Sequence, residues 1–248
     1  MIKSSLFLVL LALASGLQAG TPSAKAPVIS PTVNPTANAL FGGFEAREDS
    51  NYSHLGLIHD LDGDLGTGGL FLRSFVGYGT YDYVGGLLNN GVKGTLWDAD
   101  LGIGYRHMVD SMVYSLSVGP HIRSRDVDHV DTSVDESTKW GARAVLDATG
   151  TIGGIYVSGI GQYSTVENAV WTRARTGYAL GKVTVGPEFI YMRDAQFSEY
   201  RVGGFALWQC CSNFAITGSL GYADWDSRRG ANRESSSLYG GAAFVVTF

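Results

Sequence analysis

Apolar and polar side chains alternate through most of the chain after Ala39, and the alternation is clearest in residues 96–106. Successive side chains of an extended strand point to opposite faces, so this pattern separates an apolar face from a charged one. The apolar face carries Trp97, Ala99, Leu101, Ile103 and Tyr105, and the opposite face carries Leu96, Asp98, Asp100, Gly102, Gly104 and Arg106. A strand with lipid on one side and a polar lumen on the other needs this division.

The period of two recurs in about twelve segments, each near the length that a tilted strand needs to cross a bilayer. They comprise residues 40–47, 52–58, 70–83, 96–106, 112–123, 139–148, 155–164, 171–179, 183–191, 200–208, 214–222 and 238–248. The last segment ends on Phe248 and resembles the closing strand of bacterial outer-membrane β-barrels. We therefore predict an all-β fold, an antiparallel transmembrane up-and-down β-barrel of about 12 strands. A soluble β-sandwich is the alternative, but its apolar faces would have to pack against each other.

The connections between these segments alternate in length, as do the short periplasmic turns and longer external loops of outer-membrane barrels. External loops are predicted at residues 84–93, 124–137, 193–199 and 224–236. Periplasmic turns are predicted at residues 107–111, 148–153, 180–182 and 209–213. Residues 60–68 would form an unusually long periplasmic turn.

The N-terminal residues indicate export from the cytoplasm. Lys3 precedes an unbroken apolar run at residues 6–14, and a small residue precedes a cleavage site ahead of Gly20, which is the pattern of a Sec-type signal peptide. The run is shorter than the roughly 20 residues that a membrane-spanning helix requires. Four prolines follow within residues 21–38, and they favour an extended segment there. The predicted organisation is a signal peptide at residues 1–19, a Pro-rich periplasmic linker at 20–38 and a barrel at 39–248, located in the outer membrane of a Gram-negative cell.

Composition narrows the classes of function. Glycine accounts for 34 of 248 residues and aromatic residues for 12%, which suits a curved, tightly packed sheet. The formal net charge of −5 excludes a generally basic nucleic-acid binder, so nucleic acid is not an expected partner. Outer-membrane lipid is the partner that the apolar faces imply.

Charged residues on the predicted lumen faces form the first candidate site. Forked contacts between arginines and carboxylates suit a narrow barrel, because internal charges must find partners. Such a network would fill the interior, and a substrate path is the alternative. The predicted lumen charge network comprises Arg73, Asp98, Asp100, Arg106, Arg123, Arg143, Asp147 and Glu188.

Other polar groups indicate chemistry less strongly. His121 and Ser117 share one predicted face and are the best available pair for a hydrolase, but no motif of the outer-membrane proteases, palmitoyltransferases or lipid A deacylases is present. Residues 60–64 imitate the opening of an EF-hand loop, yet Leu65 and Phe71 stand where that loop needs Gly and Glu. The acidic residues within 125–136 are not spaced so as to form the coordination shell of a divalent cation. We therefore predict no metal, no cofactor and no catalytic residue.

Two adjacent cysteines, Cys210 and Cys211, lie near a predicted periplasmic turn. An oxidising periplasm permits disulfides, although a bond between neighbouring cysteines closes a strained ring. Free thiols, a vicinal bond and a link to another chain all stay open.

Glycine and aromatic residues dominate residues 69–83, and Trp97 and residues 102–106 continue that pattern. Through these residues the chain resembles the cellulose biosynthesis protein BcsS family, whose members are secreted accessory factors. The resemblance covers most of the barrel and implies a non-catalytic role in the biosynthesis or secretion of cellulose, an exopolysaccharide. Cellulose or the cellulose-secretion machinery would then be a partner.

A sugar polymer would be contacted by aromatic faces. The candidate glycan-contacting aromatics are Tyr78, Tyr81, Tyr83 and Trp97, although aromatic belts at the membrane interfaces are the simpler interpretation. Two other functions stay open: a small-solute or oligosaccharide porin, and an outer-membrane lipid-modifying hydrolase.

Overall fold

Twelve β-strands run up and down around one closed barrel, in which each strand pairs antiparallel with its neighbours in the chain and β1 pairs with β12. The structure, a computed structural model, describes residues 36–85, 90–127, 137–195, 197–227 and 234–248. The predicted signal peptide and residues 20–35 of the predicted linker lie outside these ranges. The strands are β1 Asn38–Arg47, β2 Ser50–Asp60, β3 Gly69–Gly85, β4 Asn90–Val109, β5 Met112–Val127, β6 Thr138–Ile152, β7 Ile155–Ser164, β8 Ala169–Leu180, β9 Val183–Arg193, β10 Phe197–Cys211, β11 Phe214–Ser227 and β12 Glu234–Thr247. The predicted fold class is confirmed.

The barrel closes where the two ends of the described chain meet. Asn38 donates its N–H to the carbonyl of Phe248 at 2.9 Å, and Phe248 donates to the carbonyl of Asn38 at 3.0 Å. We call this the terminal end of the barrel, and the opposite end, which holds the β1–β2 connection, the far end. β1 thus begins one residue before the predicted boundary at Ala39. None of the helices among the described residues is long and apolar enough to span a membrane.

The predicted alternation of side chains is present in the strands. In β4, Leu101 is 59% exposed on the outer surface, whereas its neighbour Asp100 is 9% exposed and faces the interior. Apolar side chains therefore cover the outside, where lipid would solvate them, and polar side chains fill the inside.

Aromatic side chains form two belts on the outer surface. Trp97 and Tyr105 are eight residues apart in β4, and Tyr200 and Trp208 are equally far apart in β10. At about 3.3 Å per residue and a tilt of about 40°, this spacing corresponds to about 20 Å of bilayer. The far belt comprises Tyr78, Trp97, Trp140, Tyr163, Tyr200 and Tyr222. The terminal belt comprises Tyr105, Tyr114, Tyr178, Trp208 and Phe248.

Several connections are shorter than the sequence predicts. Residues 84–93 were expected to form a loop, but β3 continues to Gly85 and β4 begins at Asn90. At the terminal end, β6 continues to Ile152 and leaves only Gly153 and Gly154 for the turn, both with positive φ. The strands extend because backbone pairing does not stop where the contrast between apolar and polar faces fades.

The long connection between β2 and β3 is a turn organised by its aspartates. One oxygen of Asp60 accepts the N–H groups of Asp62 at 2.9 Å and Asp64 at 3.3 Å, and Asp64 accepts the N–H of Gly66 at 2.8 Å. These side chains satisfy turn backbone, as Asp does in Asx turns. The described residues contain no group of three or more metal-ligating side chains.

One short sequence, Val-Gly-Pro, occurs in both β5 and β9, at residues 118–120 and 185–187. Proline has no N–H, and at each site pairing with the preceding strand is interrupted. The glycine permits close approach of the backbones. A Cβ on Gly119 would lie 1.9 Å from the carbonyl oxygen of Leu101, and one on Gly186 would lie 1.9 Å from that of Thr176. The residue after each proline, His121 in β5 and Glu188 in β9, is buried and points into the barrel.

Candidate functional site

Four charged residues and a histidine meet in the middle of the interior, and we call Arg73, Asp98, Asp100, His121 and Arg143 the central cluster. Arg143 pairs with both aspartates, through Nη2 to Asp98 and through Nη1 to Asp100 at 2.6 Å. Arg73 pairs with Asp100 from the neighbouring strand. A forked guanidinium can satisfy two carboxylates at once, which Lys cannot do in the same geometry.

Neutral and cationic groups complete the cluster around Asp98. The Tyr52 hydroxyl donates to Asp98 at 2.8 Å, and Arg123 lies 3.7 Å from the same carboxylate. Asp98 is 2% exposed. A carboxylate so deeply buried requires these partners, since an unpaired buried charge is strongly destabilising.

His121 contacts Ser164 rather than Ser117, the partner that the sequence suggested. Its Nδ1 lies 2.7 Å from Ser164 Oγ, and its Nε2 lies 2.6 Å from Arg143 Nη2 and 3.3 Å from Asp98 Oδ2. The three residues Ser164, His121 and Asp98 thus have the composition of a catalytic triad.

The hydrogen bonds around His121 oppose a triad mechanism. Arg143 can only donate and the Asp98 carboxylate can only accept, so the shorter contact, from Arg143, assigns the lone pair of the imidazole to Nε2 and the proton to Nδ1. Nδ1–H then donates to Ser164, whose oxygen also accepts the N–H of Val166 at 3.0 Å. A general base must instead accept the serine proton, so this tautomer cannot activate Ser164. His121 is also 0% exposed, so its ring is closed off from solvent in this conformation.

A second group of charges closes the far end, and we call Arg123, Arg125, Lys139, Glu167 and Asp194 the far cluster. Arg125 Nη2 lies 2.6 Å from Asp194 Oδ2 and 2.8 Å from Glu167 Oε2. Arg123 and Lys139 each approach Glu167 at 3.3 Å. Because Arg125 is in β5 and Asp194 follows β9, this contact spans the lumen.

Glu167 reaches the far cluster from a short 3₁₀ turn, Val166–Asn168, between β7 and β8. Glu167 and Asn168 have φ of 59° and 50°, in the left-handed region that side-chain-bearing residues rarely occupy. The turn is fastened to β6, since Thr165 donates its N–H to the carbonyl of Ala142 at 2.9 Å. The surrounding contacts therefore hold a strained backbone that directs Glu167 inward.

Further ion pairs join β1 to β10, two strands that are not neighbours in the barrel. Arg47 lies 2.9 Å from Glu199, and Arg201 lies 2.8 Å from Glu45. Arg201 also pairs with Glu199. Since β11 and β12 lie between these strands, the pairs bridge part of the interior.

The remaining predicted charges lie apart from the central cluster. Glu188 pairs with Arg175 and accepts the hydroxyl of Tyr239 at 3.1 Å. Arg106 donates to the carbonyl of Leu65 at 3.2 Å, near the terminal end. Asp147 accepts the Thr149 hydroxyl at 3.4 Å. The eight predicted residues thus occupy several levels of the barrel, and their role as a functional site stays a prediction.

Sequence reasoning missed several members of these clusters. It did not assign Glu167, Asp194, Glu199 or Arg47 to the lumen, because all four lie at strand ends or in connections. Glu188 was already in the predicted network. The repeated Val-Gly-Pro sequence is the signal that could have identified His121 as the equivalent inward position in β5, since each residue follows the proline.

The four candidate glycan-contacting aromatics do not form one site. Tyr78 and Trp97 are 51% and 42% exposed on the outer surface, and they face each other across β3 and β4. Tyr81 points inward, where its ring covers Gly94. The side chain of Tyr83 lies outside the described residues. A glycan inside the lumen could not contact Tyr78 or Trp97.

An apolar outer surface between two aromatic belts and a charge-filled interior define a membrane β-barrel of the outer-membrane type. The model of the family described as "Cellulose biosynthesis protein BcsS" matches residues 39–248, so the chain belongs to that family. The resemblance inferred from the sequence is confirmed. A search of curated proteins gives no match.

Solved structures with a similar fold are outer-membrane proteins. An outer membrane channel from Pseudomonas putida F1 has a TM-score of 0.54 at 10% identity, covering 93% of this chain and 100% of that one. LpxR from Salmonella typhimurium has a TM-score of 0.47 at 12% identity, over 85% of this chain and 100% of that one. The KdgM porin has a TM-score of 0.43 at 12% identity, over 85% and 99%. At 10% identity, the similarity to the Pseudomonas putida channel supports the fold and nothing further.

Proposed function

We propose that this chain is a non-catalytic accessory barrel of the Gram-negative outer membrane that assists cellulose production or export without conducting the polymer. Family membership supports the connection with cellulose. The short turns at the terminal end, residues 110–111, 153–154, 181–182 and 212–213, support an orientation with that end in the periplasm. The far cluster then lies at the cell surface.

The observation that most supports a closed interior is the ion pair between Arg125 and Asp194, whose charged atoms lie 2.6 Å apart and which joins two sides of the lumen. A polymer threading the barrel would have to separate this pair and those between β1 and β10. Each separation would break a buried ion pair, and removing one partner of such a pair costs about 3–5 kcal/mol. The interior is therefore better suited to stabilising the barrel than to passing a glucan.

Contact with the polymer or its secretion machinery is then expected on the outside. Tyr78 and Trp97 form an exposed cross-strand aromatic pair in the far belt. Aromatic faces of this kind can stack on the apolar face of a sugar ring. Their position at the surface end of the barrel supports them as the contact site.

Deletion of the gene and complementation test this proposal. We expect the deletion strain to carry less extracellular cellulose, measured as glucose released by cellulase from washed cells, and the wild-type gene to restore it. The double variant Tyr78→Leu with Trp97→Leu should restore less cellulose at equal barrel abundance. The matched control is Tyr105→Leu with Tyr114→Leu in the terminal belt, which should restore it fully. Normal cellulose and normal biofilm in the deletion strain would contradict the proposed function.

A further inference from the structure

The last two residues of β10, Cys210 and Cys211, hold two thiols side by side at the terminal end. Neighbouring side chains of a regular strand point to opposite faces, so adjacent cysteines would normally be directed apart. Here the register shifts between Gln209 and Cys211, and Cys210 has no partner in the ladder with β11. This irregularity brings the two Sγ atoms to 3.0 Å from each other.

The two cysteines differ in access. Cys211 is exposed, whereas Cys210 is partly covered and its Sγ lies 3.8 Å from the carbonyl oxygen of Phe214. An external disulfide can therefore reach Cys211 first, and Cys210 is the nearer group for a second step. This division into an attacking and a resolving thiol is what thiol–disulfide exchange requires.

A positive charge lies beside the pair. Lys182, in the adjacent β8–β9 turn, donates from Nζ to the carbonyl of Cys210 at 3.0 Å. The same turn is fixed to β10, since Gln209 donates its N–H to the carbonyl of Lys182 at 2.9 Å. The hydrogen bond with Cys211 raises the pKa of the Cys210 thiol, and the nearby ammonium group offsets only part of that rise.

We propose that Cys210 and Cys211 are a redox-active dithiol at the periplasmic rim, which exchanges with a disulfide donor of the thiol–disulfide oxidoreductase class. The Cys211 thiolate attacks the donor disulfide, forms a mixed disulfide and releases one donor thiolate. The Cys210 thiolate then attacks Sγ of Cys211, forms the bond between the two cysteines and releases the second donor sulfur as a thiolate. The barrel loses two electrons and two protons, and the donor gains them. The inference is independent of cellulose, and it uses the periplasmic orientation of the terminal end.

Thiol trapping in cells tests the exchange. Cells are quenched in acid and alkylated, and the barrel is analysed by mass spectrometry before and after reduction. We expect neither cysteine to be alkylated before reduction and both to be alkylated after it. Two alkylated cysteines without reduction, or a disulfide-linked dimer on a non-reducing gel, would overturn the proposal.

Single variants test the order of attack. Cys210→Ser keeps the exposed thiol and removes the resolving one, so it should accumulate a mixed disulfide with the donor that reductant releases. Cys211→Ser is the matched control and should accumulate less of it. Equal accumulation in both variants would contradict the assigned roles. The heat-dependent shift in mobility on gels verifies that each variant is folded. The thiol-trapping measurement on the wild-type protein does not depend on whether the variants fold.

Discussion

Arg143 connects the central cluster because one guanidinium contacts three partners. It pairs with Asp98, Asp100 and Nε2 of His121, and it is 5% exposed. Its guanidinium carbon lies 5.4 Å from the centroid of the Phe75 ring, in a cation–π contact. Loss of this side chain would remove charge, hydrogen bonds and packing at one point.

Arg143→Leu should therefore lower the free energy of unfolding by about 3–5 kcal/mol, because two buried carboxylates lose their shared partner. The measurement is urea unfolding of the barrel in lipid vesicles. Adding Asp98→Asn and Asp100→Asn should recover part of the loss, since the uncompensated charges are then removed.

Arg193→Gln is the control for that series, because Arg193 is an exposed strand residue. A change within about 0.5 kcal/mol is expected there, as for ordinary surface substitutions. If Arg143→Leu behaved like this control, the central cluster would not contribute to stability.

For single residues, the sequence predicted which face of the barrel a side chain points to, but not which residue it pairs with. Asp98 and Asp100 point inward as their alternation with Trp97 and Leu101 indicated. Their pairing with Arg143, which is more than forty residues away, depends on how β4, β5 and β6 are staggered around the barrel. Alternation within one strand contains no information on that stagger.

Among the elements, the two Val-Gly-Pro sequences are the most constrained. Gly119 and Gly186 each face a carbonyl oxygen of the preceding strand, with no room for a Cβ. Gly159, by contrast, lies in β7 with no atom within 4 Å of an added Cβ. The three glycines thus provide a matched comparison within one barrel.

Gly119→Ala and Gly186→Ala should each destabilise the barrel by about 1–3 kcal/mol, because overpacking forces the backbones apart. Gly159→Ala should be neutral or stabilising by about 0.4–1 kcal/mol, because alanine restricts the unfolded chain. The measurement is the free energy of unfolding of each variant, compared with that of the wild-type barrel. Equal stability of all three would show that the close approach is not a constraint.

The strands themselves were predictable, but their ends and connections were less so. The twelve periodic segments correspond one to one with β1–β12. The inward turn at Val166–Asn168 was not predicted, because left-handed φ at Glu167 and Asn168 has no reliable sequence signal without glycine. Glu167 was consequently absent from the predicted network.

For the whole molecule, the central question is whether the interior is open. The far cluster ties β5 to the end of β9 and to the β7–β8 connection through Arg125. A barrel closed in this way should be electrically silent, whereas a small-solute or oligosaccharide porin would conduct. Planar-bilayer recording distinguishes the two functions.

Glu167→Gln combined with Asp194→Asn should produce measurable single-channel conductance, because Arg125 and Arg123 lose the carboxylates that hold them across the mouth. Asp110→Asn changes an exposed carboxylate in a terminal-end turn and serves as the charge control. Steady conductance by the wild-type protein would refute the closed interior and favour the porin.

The seam between β1 and β12 has a consequence for the time course of folding. Eleven of the twelve ladders join strands that are adjacent in sequence, and each can form as a local hairpin. The twelfth joins residues about two hundred positions apart, such as Ala39 and Thr247. Such a contact carries the largest loop-closure entropy in the molecule, so refolding should wait on this one ladder. Until it forms, β1 and β12 remain unpaired edges through which two unfinished chains can join.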